Sequence, residues 1–433
     1  MPKRNLVKRD PSRDSRPVTI RHTIDGNTLT VLVRGTARLD ALIALIEGAR
    51  TSLRLLYYIF AEDSAGTRVR EAMIDAANRG VAVRLIVDGF GSDTTGDDAF
   101  LAPLKEAGVD VCAFIPRFGR RYLLRNHQKM ALADDGRALI GGFNVADAYF
   151  ADEGATAWRD LGLRIDGPAA ERLTGYFDTL FDWTHTPKAK MRDLRAALAA
   201  WSNPQGAVRW LHGGPVRRLS PWLRAMRDDL LRATDASLVA AYFAPTPRFT
   251  RLIDRVAKRG KARVVTAGKT DNATTIGAAR FTFPGLLRKG TRVFEYAPCR
   301  LHTKLYVIDD IVHIGSANFD PRSLFLNLEI MLRIDDAGFA AAMRGYVDGE
   351  VAASRERRLA EFSGIASVPD RVRNALCYFL VAILDPNVTR SFISGSTNAP
   401  ARAYRRTHAI SRAPQTRPRF RAAVHGHAGH RCR

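Results

Sequence analysis

Two histidines, each two positions before a lysine, are the residues of this chain best suited to covalent chemistry on phosphorus. His127-Gln-Lys129 leads to Asp134 and Gly141-Gly142-Phe-Asn144, and His302-Thr-Lys304 leads to Asp309 and Gly315-Ser316-Ala-Asn318. One His-x-Lys carries almost no information. Two copies with the same order of carboxylate, small residues and asparagine point to one site drawn from both. A phosphodiester is anionic and repels nucleophiles, so its cleavage needs charge neutralisation and a proton for the leaving group. Lys129, Lys304, Asn144 and Asn318 supply cationic and amide donors for phosphoryl oxygens. His127 and His302 supply a neutral nucleophile and a protonated acid near pH 7. The expected course is attack by one imidazole to give a phosphohistidine. The other imidazole protonates the departing alcohol and then deprotonates the incoming alcohol or water. This chemistry requires neither metal nor cofactor, and none is expected. Asp160 and Glu329 follow the two motifs at comparable distances and are candidates to fix the imidazole tautomers. The bland alternative for each is a salt-bridged surface carboxylate.

Positioning these groups falls to strands and turns. Residues two apart on a strand share a face, so each histidine points the same way as its lysine. The turn Asp134-Asp135-Gly136-Arg137 then returns the chain to bring Asn144 alongside. The second copy has one residue fewer between Asp309 and Gly315, which predicts a tighter hairpin. The repeat extends upstream. Leu53–Phe60, a helical stretch ending Arg79-Gly80 and Val81–Asp88 are matched by Leu238–Pro245, a stretch ending Arg259-Gly260 and Ala262–Ala267. Both read as strand, amphipathic helix closed by glycine, strand. Strands alternating with helices predict an α/β sandwich in each half with a mostly parallel sheet. Tyr57, Tyr58, Tyr242 and Phe243 end strands and read as core. His313 reads as packing, and His185 and His212 stand alone.

A chain of 433 residues with 46% hydrophobic content is long enough for more than one buried core. Its net charge of +23 implies an acidic partner, either an anionic membrane surface or nucleic acid. Four cysteines without a CxxC pair argue against a zinc module or disulfide scaffold and fit a reducing compartment. Met1 to Arg16 has no apolar signal region, and no run is long enough to span a bilayer. The expected organisation is a basic arm over 1–17, a first half over 18–200 and a second half over 201–365. An apolar or amphipathic segment follows over 366–386, then a disordered Arg/His-rich tail over 387–433. The tail histidines 425, 427 and 430 read as solvated. The tail offers few aromatics, which disfavours stacking on bases. Arg117, Arg120, Arg121 and Arg125 precede the first motif and read as a basic loop at the mouth of the site.

With both motifs in view, the chain resembles the phospholipase D superfamily, in which a duplicated HxKx4D motif builds one site between two halves. Within it, the chain looks most like the bacterial cardiolipin synthases that lack an N-terminal membrane anchor. Tyr57–Phe60, Arg79–Gly89, Gly141–Val145, Trp158–Pro168, Gly315–Ser323 and Asn327–Glu329 carry that likeness. The resemblance implies two α-β-α sandwich halves related by a pseudo-twofold axis and sharing one active site. It implies His127 as nucleophile, His302 as acid/base, and Lys129, Lys304, Asn144 and Asn318 as phosphate ligands with Ser316 nearby. Asp134 and Asp309 complete the motif, in a role more structural than chemical. The implied reaction joins two phosphatidylglycerol molecules into cardiolipin with release of glycerol, at the cytoplasmic face of a bacterial membrane by peripheral association. Phospholipid hydrolysis to phosphatidic acid, a nucleic-acid phosphodiesterase and a non-catalytic binding scaffold are the alternatives.

Overall fold

The computed structural model describes residues 20–93, 98–115, 124–216, 219–362 and 368–384. The basic arm, Arg117, Arg120, Arg121 and the Arg/His-rich tail lie outside the described residues.

Two hairpins carry the histidine motifs, and each lies inside its own eight-stranded sheet. The strands of the first half begin with β1 (Ile20–Ile24), β2 (Asn27–Leu32), β3 (Ser52–Tyr57), β4 (Ala82–Asp88) and β5 (Asp110–Phe114). They continue with β6 (Met130–Ala133), β7 (Arg137–Gly141), the short β8 (Trp158–Arg159) and β9 (Gly162–Asp166). In the second half come β10 (Val208–Gly213), β11 (Asp235–Ala240), β12 (Lys261–Ala267), β13 (Arg292–Tyr296) and the short β14 (Arg300–Leu301). The last are β15 (Lys304–Ile308), β16 (Ile311–Gly315), β17 (Glu329–Asp335) and β18 (Ser354–Arg357). The sheet orders are β1-β2-β9-β7-β6-β3-β4-β5 and β10-β17-β16-β15-β11-β12-β13-β18. Dropping the edge strands β1 and β18 leaves two sheets of the same topology.

The sheets are not mostly parallel, as the alternation of strands and helices suggested. Within the two eight-stranded sheets β3-β4-β5 and β11-β12-β13 pair in parallel, and the other neighbours are antiparallel. Parallel neighbours need a crossover, and Ser64–Asn78 and Pro247–Arg259 provide it between the first two strands of each trio. The histidine hairpins have room only for a tight turn, which forces antiparallel pairing. Helix Ser64–Asn78 closes on Gly80 at φ 87°. Helix Pro247–Arg259 closes on Gly260 in an extended conformation, where a Cβ would fall 2.3 Å from the Thr234 carbonyl oxygen.

One apolar core runs between the sheets and draws on both halves. Leu56, Met130, Leu132, Ile140 and Leu163 meet Val239, Leu305, Val307, Ile314 and Leu332 there, with Phe177 of helix Pro168–His185 and Met343 of helix Ala337–Ala352. Each buried aliphatic of this kind is worth about 1.5–3 kcal/mol relative to exposure. Separate outer cores pack helices Gly35–Glu47 and Ser64–Asn78 on the first sheet, and Pro221–Arg232, Pro247–Arg259 and Ala273–Arg288 on the second. The result is an α/β molecule with two sandwich halves sharing a central core.

Candidate active site

Each histidine enters the site on a segment paired with the other half of the chain. Asn126 bridges Leu328 in parallel, and the His127 amide donates to the Leu328 carbonyl at 3.0 Å. In the mirror arrangement β14 pairs with β8, and the His302 amide donates to the Arg159 carbonyl at 2.7 Å. The residue that follows on each partner segment is a carboxylate. His127 Nδ1 therefore lies 3.0 and 3.1 Å from the Glu329 oxygens, and His302 Nδ1 lies 2.6 Å from Asp160 Oδ2. An ionised carboxylate only accepts, so each Nδ1 carries the proton and each Nε2 keeps its lone pair. The pairing is crossed: the carboxylate of one half serves the histidine of the other.

Aromatic rings set the planes of the imidazoles. Tyr58 stands edge-on to His127 at 5.1 Å, while Tyr149 and Trp158 flank His302 at 5.1 and 5.2 Å. Tyr57 and Phe243 are core, as the sequence suggested, but Tyr58 is a wall of the site. Lys129 Nζ donates to its own His127 carbonyl at 2.6 Å and lies 5.1 Å from the Tyr58 ring centre. Lys304 makes the same bond to the His302 carbonyl. Asn144 and Asn318 each accept a backbone amide through Oδ1, from Ile59 at 3.1 Å and from Tyr242 at 3.4 Å.

Burial governs the electrostatics. Desolvation lowers His127 to about 4 and His302 to about 3, with Glu329 and Asp160 respectively opposing the shift. Burial also lowers Lys129 well below its ordinary value, and takes Lys304 down to about 8. Lys304 further depresses Lys129, and each lysine depresses the histidine of the other half, so all four groups share one field. Two desolvated lysines that repel each other form a site whose electrostatics improve when an anion enters.

Ser316 is placed differently from the expected phosphate ligand. Its hydroxyl donates to Glu329 Oε2 at 2.5 Å and accepts from the Ile330 amide at 3.0 Å, so its hydrogen holds the carboxylate. Gly142 occupies the matching place in the first half. A Cβ there would lie 2.7 Å from both Asp160 oxygens, so the approach of that carboxylate requires glycine. Asp134 and Asp309 do not join the site at all. They sit in the hairpin turns, roughly 16 Å along the strand from their lysines at ~3.3 Å per residue. Asp134 accepts the amides of Arg50, Thr51 and Ser52, and Asp309 those of Thr234 and Asp235. Both take positive φ, 48° and 46°, which aspartate tolerates. The second turn is the tighter one, with Ile308 facing Ile311 directly.

Some contributors carried no signal in the sequence. Arg38 is buried and donates to the carbonyls of Asp160 and Tyr149, both at 2.6 Å, and of Val33 at 3.0 Å. It thereby fixes the backbone on either side of His302. Arg159 pairs with Glu350 at 2.6 Å and ties the Asp160 segment to the second half. His313 is more than packing: it bonds Asp229 at 2.8 Å inside a buried cluster with Arg333. His212 stacks on Tyr176 at 3.8 Å, and His185 caps its helix end, bonding the Phe181 carbonyl at 3.2 Å.

Comparison with known proteins places this arrangement. A family model described as "Cardiolipin synthase, PLD-like domain" matches residues 42–182 and 226–349. Cardiolipin synthase 1 of Bacillus cereus is 32% identical over 327 residues, 71% of this chain and 63% of that protein. Cardiolipin synthase B of Escherichia coli strain K12 is 30% identical over 347 residues, 76% of this chain and 81% of that one. The chain thus spans 63% of the length of the Bacillus relative. Among solved structures, phosphatidylserine synthase of Haemophilus influenzae shares the fold with a TM-score of 0.64 at 13% identity, over 83% of this chain and 94% of that one.

Proposed function

The chain belongs to the phospholipase D superfamily, in the family of cardiolipin synthase PLD-like domains, and on that premise we propose that it is a phosphatidyltransferase making cardiolipin from two phosphatidylglycerols. The observation that supports this reading best is the pair of crossed histidine–carboxylate contacts with both lysines in one buried field. In the first step His127 Nε2 attacks phosphorus, the P–O bond to glycerol breaks and a P–N bond forms. Glu329 stabilises the positive imidazole through Nδ1–H. His302 donates a proton to the departing glycerol oxygen, the incoming phosphodiester charge having offset the burial that otherwise keeps this imidazole neutral. In the second step His302 takes the proton from the glycerol hydroxyl of a second phosphatidylglycerol. That oxygen attacks phosphorus and the P–N bond breaks, so two phosphatidylglycerols give cardiolipin and glycerol. Lys129 and Lys304 hold the phosphoryl oxygens throughout, with Asn144 and Asn318 beside them.

The site lies in a chain of net charge +23, suited to an anionic lipid surface at the cytoplasmic face of a bacterial membrane. Each exposed arginine near such a surface is worth ~1 kcal/mol and less in salt. No helix among the described residues is long and apolar enough to cross a membrane. The test uses purified protein on phosphatidylglycerol vesicles beside His127→Ala, with lipid products read by mass spectrometry. Cardiolipin with free glycerol, absent in the variant, is the expected result. Phosphatidic acid instead would make the protein a hydrolase, and unchanged lipid would overturn the assignment.

A further inference from the structure

An apolar stripe on the last helix among the described residues stands open to solvent beside the site. Helix Val368–Tyr378 and the π-helical turn Phe379–Leu384 that continues it pack on helix Ala273–Arg288. Asn374 and Cys377 close over Gly277, and Tyr378 stacks on Phe281 at 4.7 Å. That accounts for one face. The adjoining face shows Val372 65% exposed, Leu376 58%, Phe379 46% and Leu380 42%. These positions recur at helical spacing, so they form a continuous ridge rather than scattered side chains. Exposed Arg371 borders it, and Arg373 pairs with Asp370 at 3.1 Å at its start.

The ridge is anchored to the catalytic segments. The Tyr378 hydroxyl donates to the Pro245 carbonyl at 3.0 Å, on the loop whose Tyr242 amide binds Asn318. The turn Phe379–Leu384 packs against the short helix Pro321–Phe325, which begins just after Asn318. A second exposed aromatic borders the site from the first half. Phe90 is 62% exposed, with the Arg125 guanidinium over its ring at 4.3 Å. Its amide and that of Asn126, next to His127, bind opposite oxygens of Asp88.

We propose that the ridge Val372-Leu376-Phe379-Leu380 is the surface by which this protein seats in an anionic phospholipid bilayer, with Phe90 as a second contact, so that the site opens onto the lipid. The partner is a bilayer because the ridge is apolar, exposed Arg371 borders it in a chain of net charge +23, and it is too short to span. An amphipathic helix with that pattern lies in the headgroup boundary. Charge draws the molecule to the surface and the ridge fixes its orientation. The inference rests on the lipid-transfer reading, which supplies the reason for the site to face a membrane.

The test separates the two. Partition of the full chain onto vesicles of phosphatidylglycerol and phosphatidylcholine is measured by cosedimentation for the wild type and for Leu376→Glu/Phe379→Glu. Turnover is measured in parallel on a short-chain phosphatidylglycerol below its micellar concentration. The double variant is expected to bind vesicles at least roughly tenfold more weakly while keeping its turnover of the monomeric lipid. A gain-of-signal variant guards against misfolding: Val372→Trp should gain emission, relative to wild type, that is quenched by lipids brominated along the acyl chain. Equal partition of wild type and double variant, or added emission in Val372→Trp that brominated lipid leaves untouched, would overturn the proposal. So would a concentration-dependent dimer that the double variant abolishes while vesicle binding persists, since the ridge would then seat a second copy. Loss of monomeric turnover in the wild type would overturn the lipid-transfer reading and leave the partition result standing by itself.

Discussion

At the scale of single residues, the crossed carboxylates make the sharpest demands. Glu329→Gln keeps the shape but loses the charge that steadies a positive His127, so kcat should fall about 10²-fold or more with KM little changed. Ser316→Ala leaves Glu329 with one hydrogen bond fewer and should cost only about threefold to tenfold in kcat. Equal effects of the two on kcat would contradict the arrangement. The buried lysines add a pH signature. Lys304 is brought down to about 8 by burial, and its ammonium is needed to receive the phosphodiester. kcat/KM on a monomeric substrate reports the free protein and should fall more steeply above pH 8, where loss of the Lys304 proton adds to the demand for a protonated His302. A slope unchanged from pH 7 to 9.5 would show that Lys304 does not bind the phosphate as a cation.

At the scale of elements, the motif aspartates hold hairpins rather than substrates. Asp309→Ala removes an acceptor shared by the Thr234 and Asp235 amides, so it should destabilise the fold by about 1–2 kcal/mol while the folded fraction keeps its kcat. A selective loss of kcat without loss of stability would reverse that assignment. These elements also show what the sequence could reveal. The two hairpins, their strands and the residues on their inner faces were legible because strand periodicity and turn chemistry act over a few residues. Asp160 and Glu329 were legible as candidates, but not which histidine each would meet. That pairing follows from the parallel contacts of β8 with β14 and of Asn126 with Leu328, between segments far apart in the chain. The antiparallel majority of each sheet was missed because, outside the two histidine hairpins, alternation of strands and helices was read as crossovers. Arg38 left no trace, since an arginine on a helix reads as surface until its carbonyl partners come into view.

At the scale of the whole molecule, the sharing of one core by both halves ties stability to the chemistry of the site. His127, His302 and His212 are buried with lowered proton affinity, while the unfolded chain titrates them near 6.5. Below that value the unfolded state binds more protons than the folded one, so stability falls as pH drops from about 6.5 toward 4. Each such histidine contributes ~1.4 kcal/mol per pH unit inside that window. The melting temperature should therefore decline steeply between pH 6.5 and 4.5, and His212→Phe should flatten the slope. A melting temperature constant over that range would contradict the buried neutral state of these rings. The proposed transfer needs both halves to build one site in which His127 takes the phosphatidyl group. It is tested most directly by alkaline quench of the protein with short-chain phosphatidylglycerol in the first turnover, followed by peptide mass mapping, since phosphohistidine survives in base. A phosphatidyl adduct is expected on the peptide containing His127, formed in step with glycerol release and absent from His127→Ala. An adduct on His302, or glycerol released with no adduct on either histidine, would contradict the proposed transfer.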